Sequence, residues 1–201
     1  MSSTRVLPVI REDFLDYMQL KEVRVIYVRS NTLVLETADV RDDSIRKVVK
    51  KIPRKDSEGR SKNIRAICAE IAVLKFSNHP NIMSMLGAAI CDKYVAFCMP
   101  LCSRGSLAHM RGKVVPDQLE RFFAQIACAL RYLHSQKYFA HGDVKPENIL
   151  IDGSDNAILS DFGLAHVLGK GKDTVSGWGG TVGYIGPEFY TRKQFNAYLV
   201  S

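Results

Sequence analysis

The chain has 201 residues, of which 46% are hydrophobic and 24% are charged, and these fractions are typical of globular proteins. They exclude collagen-like, disordered and disulfide-scaffold classes, and the length allows one domain or two small lobes. The formal net charge is +7, and no apolar run approaches the roughly 18 residues that a membrane-spanning helix needs.

The first part of the chain predicts three short β-strands. In residues 23–28, Val23, Val25 and Tyr27 alternate with Arg24, Ile26 and Val28, apolar residues recur at 33–35, and residues 46–52 form a third run that ends before a proline. Turn residues at 30–32 and 41–44 separate these runs. Three short strands with two tight turns indicate a meander.

A helix and two further strands are predicted next. Residues 63–76 carry isoleucine and leucine at steps of three and four, which is the spacing of one helix face. The stretch His79-Pro80-Asn81 ends that pattern. The apolar runs at 83–86 and 94–99 predict the two strands.

A longer amphipathic helix is predicted at residues 117–135, and Asp117 is expected to cap its start. Its apolar positions are Leu119, Phe122, Phe123, Ile126, Ala129, Leu130 and Leu133. Short strands at 149–151 and 157–159 follow, joined by a polar turn. This order of elements predicts an α+β fold with a β-rich N-terminal lobe and a helical second lobe.

The cysteines indicate a reducing compartment. They form an odd set without a C-x-x-C pair, namely Cys68, Cys91, Cys98, Cys102 and Cys128, and we expect reduced, mostly buried thiols. The apolar stretch at residues 6–10 is too short for the core of a signal peptide. We therefore expect a cytoplasmic location, with a nuclear location as the alternative.

Three motifs, in order, carry the chemistry. The first is His141-Gly142-Asp143-Val144-Lys145-Pro146-Glu147-Asn148, the second is Asp161-Phe162-Gly163, and the third covers residues 180–188. Phosphoryl transfer needs oxygen ligands for Mg²⁺, a carboxylate that faces the acceptor hydroxyl, and a cation on the phosphates. Asn148 and Asp161 are hard oxygen ligands of the kind that Mg²⁺ takes. Asp143 and Lys145 lie two residues apart on one loop, so both can point into one cleft.

With these motifs, residues 23–188 resemble the eukaryotic protein kinase superfamily. A lysine two residues after the aspartate, as in Asp143-Val144-Lys145, is the pattern of serine/threonine kinases rather than tyrosine kinases. The resemblance implies a bilobal protein-kinase-like fold that uses ATP and Mg²⁺. It implies that Asp143 is the catalytic base, that Lys145 steadies the γ-phosphate, and that Asn148 and Asp161 bind the metal.

The resemblance extends to a nucleotide site in the N-terminal half. Lys50, next to Lys51, would contact the α- and β-phosphates and pair with Glu70 on the predicted helix at 63–76. The other nucleotide-contacting residues that the resemblance implies are Val34, Val48, Met99, Leu101 and Cys102. Met99 would be the gatekeeper of a hinge that binds adenine through its backbone.

Two features depart from the family pattern at the nucleotide. No glycine precedes Gly59, so the glycine-rich loop is absent, and Tyr27, Arg29 and Thr32 occupy the three glycine positions. Backbone amides close on phosphates less easily past Cβ atoms. Val48 replaces an alanine above the adenine and would crowd the ring. We therefore expect ATP to bind weakly.

A third departure concerns regulation. Gly142 stands where the family has an arginine that clasps a phosphate on the activation loop. Thr174 and Ser176 are the candidate phosphorylation sites between the second and third motifs. Without the arginine, we expect phosphorylation of either residue to change activity little.

The resemblance also predicts the domain organisation. An N-terminal extension covers residues 1–22 and the kinase domain covers 23–201, with an N-lobe to about residue 99, a hinge at 100–105 and a partial C-lobe at 106–201. Because the family's helical lobe continues further, the C-lobe is expected to be incomplete. The apolar residues Phe123, Tyr132 and Leu133 are then expected to be exposed, and a protein partner is expected to cover them.

The sequence leaves more than one interpretation of the function. The first is a serine/threonine protein kinase that transfers the γ-phosphate of ATP to a protein substrate with a Ser or Thr acceptor. The alternative is a pseudokinase-like binding or scaffold module with weak or no phosphotransfer, which the missing glycines favour. Nucleic-acid binding through the basic residues at 46–65 is disfavoured, because no aromatic residues are interleaved with them and no recognised nucleic-acid fold accompanies them.

Overall fold

The structure is a computed structural model of the chain. It describes residues 7–29, 32–55, 64–137, 139–168, 174–175, 180–186 and 195–196. The described residues form two compact units, one within Met1–Ile64 and Met85–Leu101 and the other within Arg65–Ser84 and Cys102–Ser201. Several positions named in the sequence analysis lie outside the described residues, namely Ser30, Asn31, Gly59, Ser176, Pro187, Glu188 and the side chain of Thr174.

The first unit is built on a five-stranded antiparallel sheet. Its strands are β1 Leu20–Arg29, β2 Thr32–Asp39, β3 Arg46–Pro53, β4 Gly87–Ile90 and β5 Tyr94–Pro100, in the order β1-β2-β3-β5-β4. The predicted meander is confirmed, since runs rich in β-branched residues favour strands. The first strand begins three residues earlier than predicted, at Leu20.

The prediction of a strand at 83–86 is wrong, because the strand in this region, β4, begins at Gly87. Met83 is buried and donates its N–H to Leu159 O at 2.9 Å in the second unit, so its apolar character reflects burial rather than a strand. At the start of β4, a Cβ on Gly87 would lie 2.7 Å from Cε of Met18. The small residues of β4 therefore allow close packing that hydrophobic periodicity does not predict.

The segment before β1 covers the outer edge of β4. Val9 forms a parallel bridge with Ile90, Ile10 N–H donates to Ile90 O at 3.0 Å, and Ile90 N–H donates to Pro8 O at 2.9 Å. The helix α1 Phe14–Tyr17 follows, and Phe14 is fully buried. The core that it joins consists of Ile10, Phe14, Leu20, Val49, Ala89, Cys91, Ala96 and Cys98. This segment is therefore part of the core of the first unit.

Acidic partners neutralise part of the basic stretch on the sheet. The ion pairs are Arg46–Glu36, Lys47–Asp39 and Lys51–Asp13, with nitrogen–oxygen distances between 3.0 and 4.0 Å. Surface pairs of this kind add little to stability, but they cancel charge that an anionic polymer would otherwise meet. They favour a solvated protein surface over a nucleic-acid interface.

The second unit combines two α-helices with short strand pairs. Its elements are α2 Ile64–Phe76, α3 Pro116–Tyr132, β6 Phe139–Ala140, β7 Ile149–Ile151, β8 Ala157–Leu159, β9 His166–Val167, β10 Thr174–Val175 and β11 Phe195–Asn196. Strand β6 pairs with β9, β7 with β8, and β10 with β11. The predicted α+β class is confirmed. Among the described helices, none is long and apolar enough to cross a membrane.

The loop after α2 is fastened to β8 and α3. Asn81, which is buried, donates from Nδ2 to Ala157 O at 2.9 Å, and Leu159 N–H donates to Asn81 O at 2.9 Å. Asn78 N–H donates to the hydroxyl of Tyr132 at 3.0 Å. These bonds hold α2 beside the strand that leads to the Asp161 motif.

The helix predicted at 117–135 is confirmed, but it starts differently. It begins at Pro116, and Val115 rather than Asp117 is the N-cap residue. Gln118 Oε1 accepts a hydrogen bond from Val115 N–H at 3.3 Å. Proline favours the first helical position because its missing N–H would have no helical partner there, so the predicted cap at Asp117 lies two residues after the observed one.

The expected exposure of apolar residues near this helix is only partly correct. Phe123 is 66% exposed, but Leu133 is fully buried, and Tyr132 is half-buried. A π-helical turn at Leu133–Lys137 continues α3. Leu133 lies seven residues after the buried Ile126, so the helical period places both on one face, and the expected exposure of Leu133 is wrong.

All five cysteines are free thiols, as predicted. Cys91, Cys98 and Cys102 are buried, whereas Cys68 and Cys128 are exposed. Burial raises the pKa of Cys98 to about 11 and the pKa of Cys102 to about 12. Both thiols are therefore protonated at neutral pH and act as small apolar side chains rather than nucleophiles.

Candidate active site

A buried histidine organises the loop between β6 and β7. His141 is fully buried, and its Nδ1 accepts a hydrogen bond from Asp143 N–H at 3.2 Å. Its Nε2 lies 2.9 Å from Ser160 O, so the ring proton resides on Nε2 and is donated to that carbonyl. Burial lowers the pKa of His141, which keeps the ring neutral. The two hydrogen bonds fix the backbone at Asp143.

Gly142 lies between these two residues in a left-handed conformation. Its φ angle is +82°, a region that glycine adopts without a steric penalty. An arginine, the residue expected from the resemblance, would carry roughly 1 kcal/mol of strain in a left-handed backbone. The glycine therefore suits the backbone of this loop.

Four hydrogen-bond donors surround the carboxylate of Asp143. Its Oδ1 accepts from Thr181 Oγ1 at 2.6 Å and from Thr181 N–H at 3.1 Å. Its Oδ2 accepts from Lys145 Nζ at 2.5 Å and from Asn148 Nδ2 at 3.0 Å. Because an ionised carboxylate offers about four acceptor sites, these donors hold it in one orientation.

Burial and hydrogen bonding act on Asp143 in opposite directions. The side chain is only 9% exposed, and this burial raises its pKa. The hydrogen bonds from Lys145 and Thr181, together with the charge of Lys145, outweigh burial and hold the pKa of Asp143 below its ordinary value. The carboxylate is therefore ionised at neutral pH and is suited to accept a hydrogen bond from a substrate hydroxyl.

Thr181 is a member of this cluster for which the sequence alone indicates no role in catalysis or binding. Besides contacting Asp143, its Oγ1 accepts a hydrogen bond from Lys145 Nζ at 2.5 Å, across 36 residues of sequence. Thr181 belongs to the third motif, but the sequence of that motif does not indicate which residue it contacts. Only the path of the chain shows that this motif returns to the first one.

Thr181→Val is expected to raise the pKa of Asp143, because the substitution removes the hydroxyl that donates to Oδ1. A lowered pKa contributes stability that is present above the unfolded value and is lost as the pH falls through the folded value. In the valine variant this contribution should be smaller, and its loss should be complete at a higher pH than in the wild type. A ¹³C NMR titration of the Asp143 carboxyl carbon measures the change. Thr181→Ser keeps the hydroxyl and should titrate like the wild type, whereas an unchanged valine variant would contradict the assignment.

The β7–β8 hairpin brings Asn148 and Asp161 to the same end of the second unit. Ile149 pairs with Leu159, so the residues just outside this pair meet at the open end of the hairpin. Ser160 donates from both its N–H and its Oγ to Asn148 O at 2.9 Å. The structure therefore joins the metal-binding candidates that the sequence placed in separate motifs.

The backbone is strained at Asp161. Its φ angle is +58°, a region that aspartate and asparagine tolerate better than most residues. The next residue, Phe162, is buried with its ring centre 4.9 Å from that of His141. A Cβ on Gly163 would lie 3.5 Å from Asp161 Oδ1 and 3.9 Å from Glu70 Oε2. Glu70, which is 3% exposed, therefore lies beside the same turn.

Asn148 and Asp161 fit a Mg²⁺ site by the chemistry of their oxygen atoms. The amide nitrogen of Asn148 donates to Asp143 O at 2.8 Å and to Oδ2 of the same residue, so Oδ1 of Asn148 is turned away from Asp143. Asp161 is exposed and carries a carboxylate. No cluster of three or more His, Cys, Asp or Glu suited to a metal is present in the part of the chain that the structure describes. Mg²⁺ is usually held by one or two protein oxygen ligands together with nucleotide phosphates and water.

Asp155 holds the closed end of the same hairpin. It has a φ angle of +63° and accepts hydrogen bonds from Arg104 and Arg121. Gln118 Nε2 also donates to it at 3.0 Å. These bonds connect the β7–β8 turn to α3 and so support the positions of Asn148 and Asp161.

Asp155→Ala is expected to lower the free energy of unfolding by about 2 kcal/mol. The substitution removes hydrogen bonds to charged groups and puts alanine in a left-handed conformation. Denaturant unfolding measures the loss. Asp155→Asn keeps a residue that tolerates this conformation and should cost less. Equal stability of wild type and both variants would show that Asp155 does not support the hairpin.

The sheet register groups four of the residues predicted to contact the nucleotide. Lys50 lies opposite Val34 on β2 and opposite Phe97 on β5, and Val48 lies opposite Met99. Paired residues share a face, and so do residues two apart on one strand. Val34, Val48, Lys50 and Met99 therefore share one face of the sheet, where Lys50 Nζ lies 5.7 Å from the centre of the Phe97 ring. Their roles toward a nucleotide stay predictions.

The neighbouring lysine belongs to the other face of the sheet. Lys51 Nζ lies 3.0 Å from Asp13 Oδ2 and 5.0 Å from the centre of the Tyr94 ring. This difference favours Lys50 over Lys51 as the phosphate-contacting residue. Glu70 belongs to the other unit, so its predicted ion pair with Lys50 stays a prediction.

The predicted hinge residues lie where the two units meet in sequence. Leu101 is the last residue of the first unit and Cys102 begins the continuation of the second. Leu101 is half-buried and Cys102 is buried, and Gly105 N–H donates to Cys102 O at 3.1 Å. Adenine recognition by this segment and the domain boundaries around it stay predictions.

Comparison with known proteins identifies the relatives of the chain. The family model described as "Protein kinase domain" matches residues 35–199. The probable LRR receptor-like serine/threonine-protein kinase RPK1 of Arabidopsis thaliana is 36% identical over 66% of this chain and 26% of its own length. Calcium-dependent protein kinase 6 of Plasmodium berghei (strain Anka) is also 36% identical, over 73% of this chain and 10% of its own length.

A third relative matches more of the chain. The probable serine/threonine-protein kinase fhkD of Dictyostelium discoideum is 32% identical over 90% of this chain. The match covers 25% of that protein. The chain thus spans between a tenth and about a quarter of the length of these three relatives.

Proposed function

Because the chain belongs to the protein kinase domain family, we propose that it is a serine/threonine protein kinase that transfers the γ-phosphate of ATP to protein hydroxyl groups. The lysine two residues after Asp143, and the serine/threonine kinases among its relatives, support the choice of acceptor. The proposed kinase domain covers residues 23–201 with a hinge at 100–105, and the extension proposed at 1–22 includes residues that pack against its sheet.

The observation that carries this proposal is the hydrogen-bonded cluster around Asp143. Its carboxylate is ionised, nearly buried and held by Lys145, Asn148 and Thr181. A general base needs both a fixed position and the correct protonation state. The Asp143 cluster meets both requirements, so Asp143 is the proposed catalytic base.

A substrate hydroxyl can reach Asp143 by replacing one of its four donors. Thr181 Oγ1 is a neutral donor, whereas Lys145 is a cation and forms the stronger kind of hydrogen bond. We therefore expect the Thr181 hydroxyl to release Oδ1 to the substrate while Lys145 keeps Oδ2. Asp143 then accepts the hydroxyl proton, and Lys145 is positioned to balance negative charge on the transferred phosphoryl group.

ATP and Mg²⁺ are the cofactors that this proposal requires. When bound, the metal neutralises negative charge on the phosphates, and Asn148 and Asp161 would hold it. Lys50, paired with Glu70, would contact the α- and β-phosphates. The residues proposed to surround the adenine and sugar are Val34, Val48, Met99, Leu101 and Cys102.

A binding module with weak or no phosphotransfer is the second candidate function, and the β1–β2 pair favours it. Tyr27 and Arg29 stand at positions where the family has glycines. The strand register places them opposite Val34 and Thr32. Side chains there keep backbone amides from approaching phosphates. A calorimetric titration with ATP, with and without Mg²⁺, separates the two candidates, because only the kinase requires nucleotide binding that Mg²⁺ strengthens.

The direct test of the proposed function is a phosphotransfer assay on the whole chain. Three peptides that differ only in a Ser, Thr or Tyr acceptor are incubated with labelled ATP and Mg²⁺. The serine and threonine peptides should become labelled and the tyrosine peptide should not. Labelling of the tyrosine peptide, or of no peptide at nucleotide saturation, would contradict the proposal.

A further inference from the structure

The turn end of the β1–β2 hairpin carries a cation at a position where the family has a glycine. Arg29 is the last residue of β1, is exposed, and lies opposite Thr32 on β2. The pairing is regular from Tyr27 to Arg29, since three successive residues of β1 meet three successive residues of β2. The register therefore shows on which face of the sheet Arg29 lies.

That face is the one that carries Lys50. Tyr27 lies opposite Val34, and Val34 lies opposite Lys50. Because opposed residues share a face, as do residues two apart on one strand, Arg29 lies on the same face as Lys50. The spacing of strands and of residues along them puts the Cα atoms of Arg29 and Lys50 roughly 12 Å apart. Two long side chains can close that distance on one polyphosphate.

Arg29 differs from the other two cations of β1 in its partners. Lys21 Nζ lies 3.1 Å from Asp43 Oδ1, and Arg24 Nε lies 2.7 Å from Glu36 Oε2. Among the residues that the structure describes, no carboxylate pairs with Arg29. The charges of Lys21 and Arg24 are therefore matched within the fold, whereas the charge of Arg29 is available to an anion.

We propose that Arg29 is a phosphate-binding residue, which together with Lys50 holds the polyphosphate of a nucleoside triphosphate on this face of the sheet. This role rests on the proposed function, which assigns Lys50 to the α- and β-phosphates. A guanidinium group presents its N–H donors in a planar fork that matches two phosphate oxygens, and such charge-assisted pairs are stronger than hydrogen bonds from neutral amides. The side chain of Arg29 thus supplies donors where Cβ atoms hold the backbone amides away from phosphates.

The side chain of Arg29 acts on nucleotide binding in two opposite ways. Its Cβ and the rest of its stem obstruct the backbone amides, which weakens binding, and its guanidinium attracts the phosphates, which strengthens binding. Tyr27 and Thr32 add obstruction without a positive charge, so Arg29 offsets only part of the loss and the affinity stays low. A glycine at position 29 would remove obstruction and cation together. If obstruction were the larger effect, Arg29→Gly would bind ATP more tightly than the wild type, whereas the proposed role requires weaker binding.

Calorimetric titration of the whole chain with ATP in the presence of Mg²⁺ tests this role. Arg29→Ala and Arg29→Gly should each weaken the affinity for ATP by about ten-fold, the effect of one hydrogen bond to a charged group. Arg29→Lys keeps the charge but loses the fork, so its affinity should lie between those of the wild type and Arg29→Ala. Adenosine, which has no phosphate, should bind all four proteins equally. Inorganic tripolyphosphate should displace ATP from the wild type more effectively than from Arg29→Ala.

The control is Lys21→Ala, which removes a paired cation near the other end of β1 and should keep the wild-type affinity for ATP. Thermal unfolding of each variant verifies that it is folded. A wild type that binds no ATP, unchanged affinity in Arg29→Ala, or tighter binding in Arg29→Gly would overturn the role of Arg29. The peptide assay gives a separate answer. A chain that binds ATP through Arg29 but labels no peptide would contradict the kinase function alone, and labelling with unchanged affinity in Arg29→Ala would contradict the role of Arg29 alone.

Discussion

Asp143→Asn is expected to lower the rate of phosphotransfer to a serine or threonine peptide by on the order of 10²- to 10⁴-fold, the range for loss of a general base. Asparagine has nearly the same shape as aspartate, but it cannot take up the hydroxyl proton. Its amide nitrogen would also face a donor, because the carboxylate oxygens accept from Lys145 on one side and from Thr181 on the other. The variant thus loses both the charge and the orientation.

Initial rates at saturating Mg-ATP measure this effect, with nucleotide affinity determined in parallel. The rate constant should fall while nucleotide affinity changes little, because Asp143 is placed to contact the acceptor rather than the nucleotide. Asp92→Asn is the matched control, since Asp92 is exposed in the turn between β4 and β5. An Asp143→Asn variant that keeps wild-type turnover would show that Asp143 is not the base.

Asp161→Asn is expected to remove the strengthening of ATP binding by Mg²⁺ and to reduce phosphotransfer by on the order of 10²-fold or more. The substitution replaces a charged oxygen ligand with a neutral one, while the metal needs negative oxygen atoms beside the phosphates. Asparagine also tolerates the φ angle of +58° at this position. The expected loss is therefore electrostatic rather than a consequence of backbone strain.

Calorimetric titration with ATP, with and without Mg²⁺, measures this change. In the wild type, Mg²⁺ should increase the affinity for ATP. The side chains at the glycine positions of β1 and β2 should nevertheless keep that affinity low. In Asp161→Asn the two titrations should coincide. Asp152→Asn, in the β7–β8 turn, serves as the control at the other end of the same hairpin. Mg²⁺-dependent binding that persists in Asp161→Asn would rule out Asp161 as a metal ligand.

The sequence predicted most elements and the chemical class of the site. Short runs separated by turn residues predicted the meander of β1 to β3, and steps of three and four predicted α2 and α3, because that period follows directly from helix geometry. The order and spacing of the motifs with Asp143, Asn148 and Asp161 indicated the family. The family model that matches residues 35–199 confirms that assignment.

Local patterns failed where packing between distant segments decided the outcome. Apolar residues at 83–86 suggested a strand, but Met83 is buried against Leu159 and the strand starts at Gly87. Leu133 was expected to be exposed because the helical lobe was expected to be incomplete, but it is fully buried. In both cases, the apolar residue type was the correct indicator of burial.

Contacts between residues far apart in sequence depend on the tertiary structure alone. The sequence determined which side chains can hold a metal, accept a proton or balance charge, because those capacities belong to the residue type. Only the folded chain brings Thr181 to Asp143 and Lys145 and places Asn148 beside Asp161 through a hairpin. These arrangements depend on where the backbone turns and which strands pair, and no short window of sequence contains both partners.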